Sequence, residues 1–123
     1  MTSREMYKEH ILDLYKNPLN FGSLKKVTQK ERKLNPLCGD DITIEILVDK
    51  NVISDVKFSG KGCALCIASA SLLTETIKGI KLKEVIKFNK NDLLKLLEIP
   101  VGPVRLKCVL LPLEVLHKAV KKC

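Results

Sequence analysis

The sequence predicts an α+β domain in which a three-stranded antiparallel sheet carries helices packed on one face. Three observations lead there. Two runs with the period of a strand, Ile42 to Val48 and Val52 to Phe58, are joined only by Asp49-Lys50-Asn51. Stretches with the period of a helix stand before and after that pair. Glycine and proline mark the joints, at Asn17-Pro18, Ser59-Gly60-Lys61-Gly62 and Pro100 to Pro103. With 123 residues, 46% of them apolar and 29% charged, the chain can furnish one core and reads as a single domain over 1–123.

Tyr7, Ile11, Leu14 and Tyr15 fall on one helical stripe, with Ser3 as the candidate N-cap and Asn17-Pro18 as the stop. Asn20 to Leu34, polar and charged around Gly22, reads as a loop leading into an edge strand. Ile42, Ile44, Ile46 and Val48 then alternate with Thr43, Glu45 and Leu47, which gives a strand with one buried face. Val52, Ser54, Val56 and Phe58 continue the period of two, and so short a connection predicts an antiparallel hairpin. From Cys63 to Gly79 the apolar spacing is that of a largely buried helix. Two short helices follow, Lys83 to Phe88 and Asn91 to Leu97, the second capped by Asn91. Ile99 to Val104, with two prolines and a glycine, reads as an ordered loop, after which a last helix has Pro112 in its first turn. Its apolar stripe is Val115, Leu116, Ala119 and Val120.

Composition narrows the function. The longest uncharged stretches are shorter than the roughly 18 apolar residues of a membrane span, and the N-terminus mixes charges through its apolar positions, so a soluble, non-secreted, cytoplasmic protein with no membrane partner is expected. The net charge of +8 is read as solubilising an apolar-rich fold, with a basic docking face left open. Nucleic acid is not expected as a partner. Tyr7, Tyr15, Phe21, Phe58 and Phe88 are the only residues able to stack on bases, and none is interleaved in a basic run.

Five cysteines, an odd number with no secreted-framework spacing, suit a reducing compartment. Three stand at joints. Cys38 precedes the hairpin in Asn35-Pro36-Leu37-Cys38-Gly39-Asp40, Cys63 ends the glycine loop, and Cys108 ends the proline loop; the last two are expected at helix N-termini, where partial positive charge favours a thiolate. Asp40 can add an oxygen ligand. Three thiolates and a carboxylate would close a tetrahedral zinc site or give two ligands to each iron of a two-iron cluster. Scattered reduced cysteines are the competing reading, and spacing alone does not choose. Cys63-x-x-Cys66 has the spacing of a metal knuckle or a redox pair, but a small core residue is the preferred reading of Cys66. Cys123 is expected to be a free thiol, His10 and His117 surface residues, and Lys118, Lys121 and Lys122 a solvated helix end.

Three stretches together resemble one known family, the IscU/SufU/NifU-N iron–sulfur cluster assembly scaffolds, over nearly the whole chain. Asn35 to Asp40 is similar to the family's first cysteine motif. Phe58-Ser-Gly60-Lys-Gly62-Cys63-Ala-Leu-Cys66-Ile-Ala68-Ser69-Ala70-Ser71 is similar to its second, and Arg105-Leu-Lys107-Cys108 to its third. Tyr15-Lys-Asn17-Pro18-Leu-Asn20 resembles its N-terminal helix exit. The resemblance implies a non-enzymatic scaffold that takes sulfur from a cysteine desulfurase, with Cys38 and Cys108 as candidate acceptors. It would assemble a transient [2Fe-2S] cluster on Cys38, Asp40, Cys63 and Cys108 and pass it to acceptor apo-proteins. Because a persulfide moves only when two sulfurs come together, the desulfurase is expected on the face formed by Asn35 to Asp40, Gly60 to Cys63 and Pro103 to Cys108, with Pro103, Arg105 and Lys107 in contact.

The departures are specific. Lys107 stands where the IscU type has histidine, as in the SufU type, yet the SufU-type insertion before that motif is missing. The SufU type holds zinc on the same ligands and relays persulfide sulfur as a sulfurtransferase, which is the alternative function. Val101-Gly102-Pro103-Val104-Arg105 replaces the chaperone-recognition motif Leu-Pro-Pro-Val-Lys, so that chaperone is not an expected partner. Cys66 stands where the family usually has serine.

Overall fold

The computed structural model describes residues 3–123, with side chains from residue 8 onward, so the Ser3 cap and the Tyr7 end of the first stripe lie outside the described side chains. In chain order the elements are α1 (Ser3–Lys16), β1 (Gln29–Asn35), β2 (Asp40–Asp49), β3 (Val52–Lys61), α2 (Ala64–Ile77), α3 (Leu82–Lys87), α4 (Lys90–Leu97) and α5 (Pro103–Lys121). The strands form one antiparallel sheet in the order β1-β2-β3. The helices pack on one of its faces: α5 lies across β1 and β2, α2 runs between α5 and β3, and α1 covers α2. This is the α+β class that the sequence predicts.

Ile42, Ile44 and Ile46 of β2 point into the core with Phe58 of β3, fully buried beneath the helices. Lys50 and Asn51 form the two-residue turn between β2 and β3, both at positive φ (53° and 63°), the geometry that matches the twist of paired strands. The expected alternation fails just beyond it. Leu47 pairs with Asp55 and Val48 with Ile53, so Ser54 is an extra residue in β3. That bulge reverses the phase, sending Ile53 into the core and Ser54 to solvent, where an uninterrupted strand would have put Val52 and Ser54 on the inner face. On the outer face, Glu45 is buried as well, its Oε1 accepting the Leu24 N–H at 2.9 Å.

The α2 helix is the central pillar, and its small residues let neighbours approach closely. Ser69 Oγ donates to the Val109 carbonyl of α5 at 2.7 Å, and Ser71 Oγ accepts the Leu19 N–H at 3.2 Å. Two helix boundaries differ from expectation. Asn89, not Asn91, caps α4, in a reciprocal capping box with Asp92. The last helix begins at Pro103, whose missing N–H costs nothing at a first helical position, so Pro112 lies in its interior and has no N–H to give the Cys108 carbonyl four residues earlier. His117 is half-buried, with Nε2 3.0 Å from the Val85 carbonyl, and so ties α5 to α3 instead of standing free on the surface. Lys118 and Lys122 reach β1, where both pair with Glu31. His10 and Cys123 are exposed.

Candidate metal centre

Three segments far apart in sequence meet at one end of the sheet. The first is the turn between β1 and β2. Asn35 organises it, accepting the Leu37 N–H on Oδ1 at 3.3 Å and the Gly39 N–H on its carbonyl at 2.8 Å, while Gly39 takes φ +73°. This turn holds Cys38 out at the surface and starts β2 at Asp40, which is only 1% exposed. The second segment is the end of β3, where Gly60 (φ +123°) lies against the Asp41 backbone and Gly62 leads to Cys63, the residue before α2. The third is α5, which brings Cys108, fully buried, beneath the turn.

Ligand atoms of Cys38, Asp40 and Cys108 lie within 4.8 Å of one another. Cys63, the fourth residue expected in the set, is not in that close group. It touches the site through its backbone, whose N–H donates to Asp40 Oδ1 at 3.2 Å. Cys63 also lines a shallow cleft of about 230 Å³ with Ala64, Leu65 and Arg105. Asp40 Oδ2 is buried without a hydrogen-bond donor from the protein. An unpaired buried carboxylate oxygen is costly, and a cation beside two sulfurs would satisfy it. Asp41 differs from its neighbour in this respect: Arg32 holds it by two hydrogen bonds, at 2.8 and 2.6 Å. Two sulfurs within reach and an oxygen suit zinc or iron better than magnesium or calcium.

Electrostatics correct one expectation. Because α5 begins five residues earlier, Cys108 is not at a helix N-terminus, and its thiol is pushed well up from the ordinary range, first by burial and then by Asp40 and Cys38 beside it. The pocket therefore favours the Cys108 thiol, and a metal held by Cys38, Asp40 and Cys108 would reverse the local sign and favour the thiolate. Cys66 is pushed up in the same direction, by burial first and then by Asp40, Cys63 and Cys38. It is fully buried in the core beneath the site.

Around the centre the surface is apolar and basic. Leu37 is 80% exposed and Val104 79%, with Pro103, Arg105 and Lys107 also at the surface on the first turns of α5. Sequence reasoning missed the Cys63–Asp40 bond and the Arg32–Asp41 pair. The second has a visible origin, since the register sets Arg32 opposite Thr43, two residues from Asp41.

The class this defines is an α+β protein, a three-stranded sheet with helices on one face, whose Cys38, Asp40 and Cys108 form a group that could hold a soft metal. The chain matches the NifU-like N terminal domain over residues 6–123, and it belongs to that family. It is similar to an iron sulfur cluster assembly protein 1, mitochondrial, from Debaryomyces hansenii, at 38% identity over 98% of this chain and 69% of that one. It is also similar to a zinc-dependent sulfurtransferase SufU from Bacillus subtilis, at 32% identity over 95% of this chain and 90% of that one. Among solved structures, one described as an iron–sulfur cluster assembly scaffold for the SUF system of Fervidobacterium islandicum superposes with a TM-score of 0.80. Its identity is 31%, and 97% of this chain and 99% of that chain are covered. Among the described residues, no helix is long and apolar enough to cross a membrane.

Proposed function

We propose that the protein is an iron–sulfur cluster assembly scaffold, and the observation that carries this reading is the convergence of Cys38, Asp40 and Cys108 around an unpaired, buried carboxylate oxygen. Membership of the family and the assembly proteins among its relatives support it. Cys63 is the fourth ligand in this reading, placed at the start of α2 with its backbone N–H on Asp40 Oδ1. The cargo is a transient [2Fe-2S] cluster with two ligands for each iron. The supplier of sulfur is a cysteine desulfurase, and the recipients are apo-proteins that offer incoming thiolates.

Persulfide transfer needs two sulfurs in contact, so the desulfurase docks on the face made by Asn35 to Asp40, Gly60 to Cys63 and Pro103 to Cys108. Exposure favours Cys38 over buried Cys108 as the first acceptor. Exposed Leu37 and Val104 supply apolar contact there, and Arg105 and Lys107 supply charge. Five free cysteines suit a reducing compartment, and we place the reaction in the cytoplasm.

Lys107 and the zinc-dependent relative favour one second reading, in which the same four residues hold zinc and the protein relays persulfide sulfur as a sulfurtransferase. One experiment separates the two: anaerobic reconstitution with iron and sulfide, on protein stripped of zinc and on protein left with it. A brown protein carrying iron and labile sulfide that matures an apo-ferredoxin supports the scaffold. A colourless zinc protein that stimulates a desulfurase but never retains iron supports the relay.

A further inference from the structure

Building a cluster consumes sulfide, whereas a desulfurase delivers sulfur at the persulfide level, so each sulfur must gain two electrons before it enters the cargo. The structure places a thiol pair where that reduction can occur. Cys63 stands at the N-cap of α2 and Cys66 three residues on, in the first turn. Residues so spaced lie within the Cα separation that a disulfide spans, about 4.4–6.8 Å. The Cys66 side chain points back toward the start of its helix, as helical side chains do: its Sγ is 3.0 Å from where a Cβ on Gly62 would stand, and Asp40 Oδ1 is 2.9 Å from the same point. A side chain at residue 62 would fill the space between Cys66 and the site. Glycine leaves it open.

The two thiols differ in access. Cys63 lines the cleft of about 230 Å³ that Ala64, Leu65 and Arg105 also line, which is room enough for a second sulfur atom. Cys66 is fully enclosed, out of reach of a bulky donor. An outer thiol that can be loaded and an inner thiol one helical turn away are the two parts of a resolving pair.

We propose that Cys66 resolves a persulfide carried on Cys63 and releases its outer sulfur as hydrosulfide into the site, an inference that rests on the scaffold reading above. The persulfide reaches Cys63 from the desulfurase directly, or by sulfane transfer from Cys38, an exchange that leaves the overall oxidation level unchanged. The sulfur of Cys66 attacks the inner sulfur of the persulfide anion. The S–S bond to the outer sulfur breaks, a Cys63–Cys66 disulfide forms, and the outer sulfur leaves with the electron pair and the Cys66 proton as HS⁻. The two thiol sulfurs together lose the two electrons that the outer sulfur gains. A dithiol reductant resets the pair for the next sulfur.

The test uses the whole metal-free, reduced protein under anaerobic conditions with equimolar cysteine hydropersulfide as the sulfur donor. Free hydrosulfide is measured, and the peptide carrying Cys63 and Cys66 is weighed. We expect the wild type to release about one hydrosulfide per chain, with that peptide losing two hydrogens and refusing an alkylating reagent. Cys66→Ser should release severalfold less and retain an added sulfur on Cys63. Equal release from the variant, a persulfide that persists in the wild type, or a disulfide between another pair such as Cys38 and Cys108 overturns the proposal. If Cys66→Ser does not fold, Cys66→Ala takes its place, and the peptide map of the wild type decides without either. Because the donor is a small molecule, a negative result here leaves the scaffold reading standing. Failure of that reading shows instead as no iron uptake by wild type and variant alike.

Discussion

Asp40 holds one carboxylate oxygen on the Cys63 backbone N–H at 3.2 Å and leaves the other buried with no protein donor. The hydrogen bond fixes the carboxylate, and in the proposed scaffold the other oxygen would give a metal one hard ligand among soft ones. A carboxylate would hold iron in a sulfide cluster less firmly than a thiolate and yield to an incoming thiolate of an acceptor, so this corner would be the exit. Asp40→Cys should therefore keep a reconstituted cluster longer and deliver it to an apo-ferredoxin several times more slowly. Cluster absorbance and acceptor maturation, followed in one anaerobic mixture, check this; equal or faster delivery refutes it.

Arg105 and Lys107 lie exposed on the first turns of α5, on the face that also displays Cys38. Reversing both charges to glutamate should weaken stimulation of a cysteine desulfurase about tenfold or more at moderate salt, with the fold intact by circular dichroism. Unchanged stimulation would place the docking face elsewhere.

Glu31 is drawn below its ordinary value of 4.5, first by its hydrogen bond from Lys122 and then by the charges of Lys122 and Lys118, against an opposing effect of burial. A carboxylate with a lowered folded-state pKa contributes stability that is present above 4.5 and lost as pH falls through the lower folded value. Glu31→Gln should accordingly flatten the fall in melting temperature below that pH, with little change in slope near neutrality. An unaltered acid limb would show that the β1–α5 ion pairs contribute nothing to it.

Gly60 takes φ +123°, and a Cβ there would run into the Asp41 carbonyl. Backbone cannot step aside as a flexible side chain would, so Gly60→Ala should cost about 2–4 kcal/mol in denaturant unfolding. It should also lower metal affinity, since the strain falls between Asp40 and Cys63. A loss under about 0.5 kcal/mol, in the range of ordinary surface substitutions, would contradict the close approach.

Period and punctuation made the hairpin, the buried helix and the sheet-with-helices class readable, because those features are local: alternating isoleucines in β2, and Gly79 after α2. What escaped was set by tertiary contact. Ser54 carries no mark of a bulge, yet one extra residue reversed the inner face of β3. Pro112 reads as a first-turn proline because proline usually is; α5 starts instead at Pro103, a residue suited to a first helical position, and its buried face from Val109 to Val120 outweighs one lost hydrogen bond. That longer helix moved Cys108 inward and turned an expected thiolate into a buried thiol. Of the site, Cys38 and Asp40 were legible from the joint before the hairpin, and Cys108 from its family motif, since its expected place at a helix start was wrong. That Cys63 and Arg105 line one cleft depends on residues 42 apart in sequence meeting, and no local pattern encodes it.

The central claim is that Cys38, Asp40, Cys63 and Cys108 together hold one metal or cluster. Metal bound per chain after anaerobic loading, measured by elemental analysis on the wild type and on the five single cysteine-to-serine variants, tests it most directly. The account predicts that Cys38→Ser, Cys63→Ser and Cys108→Ser lose most of the bound metal while Cys66→Ser and Cys123→Ser keep it. Wild-type stoichiometry in Cys38→Ser and Cys108→Ser, or its loss in Cys123→Ser, would contradict the claim.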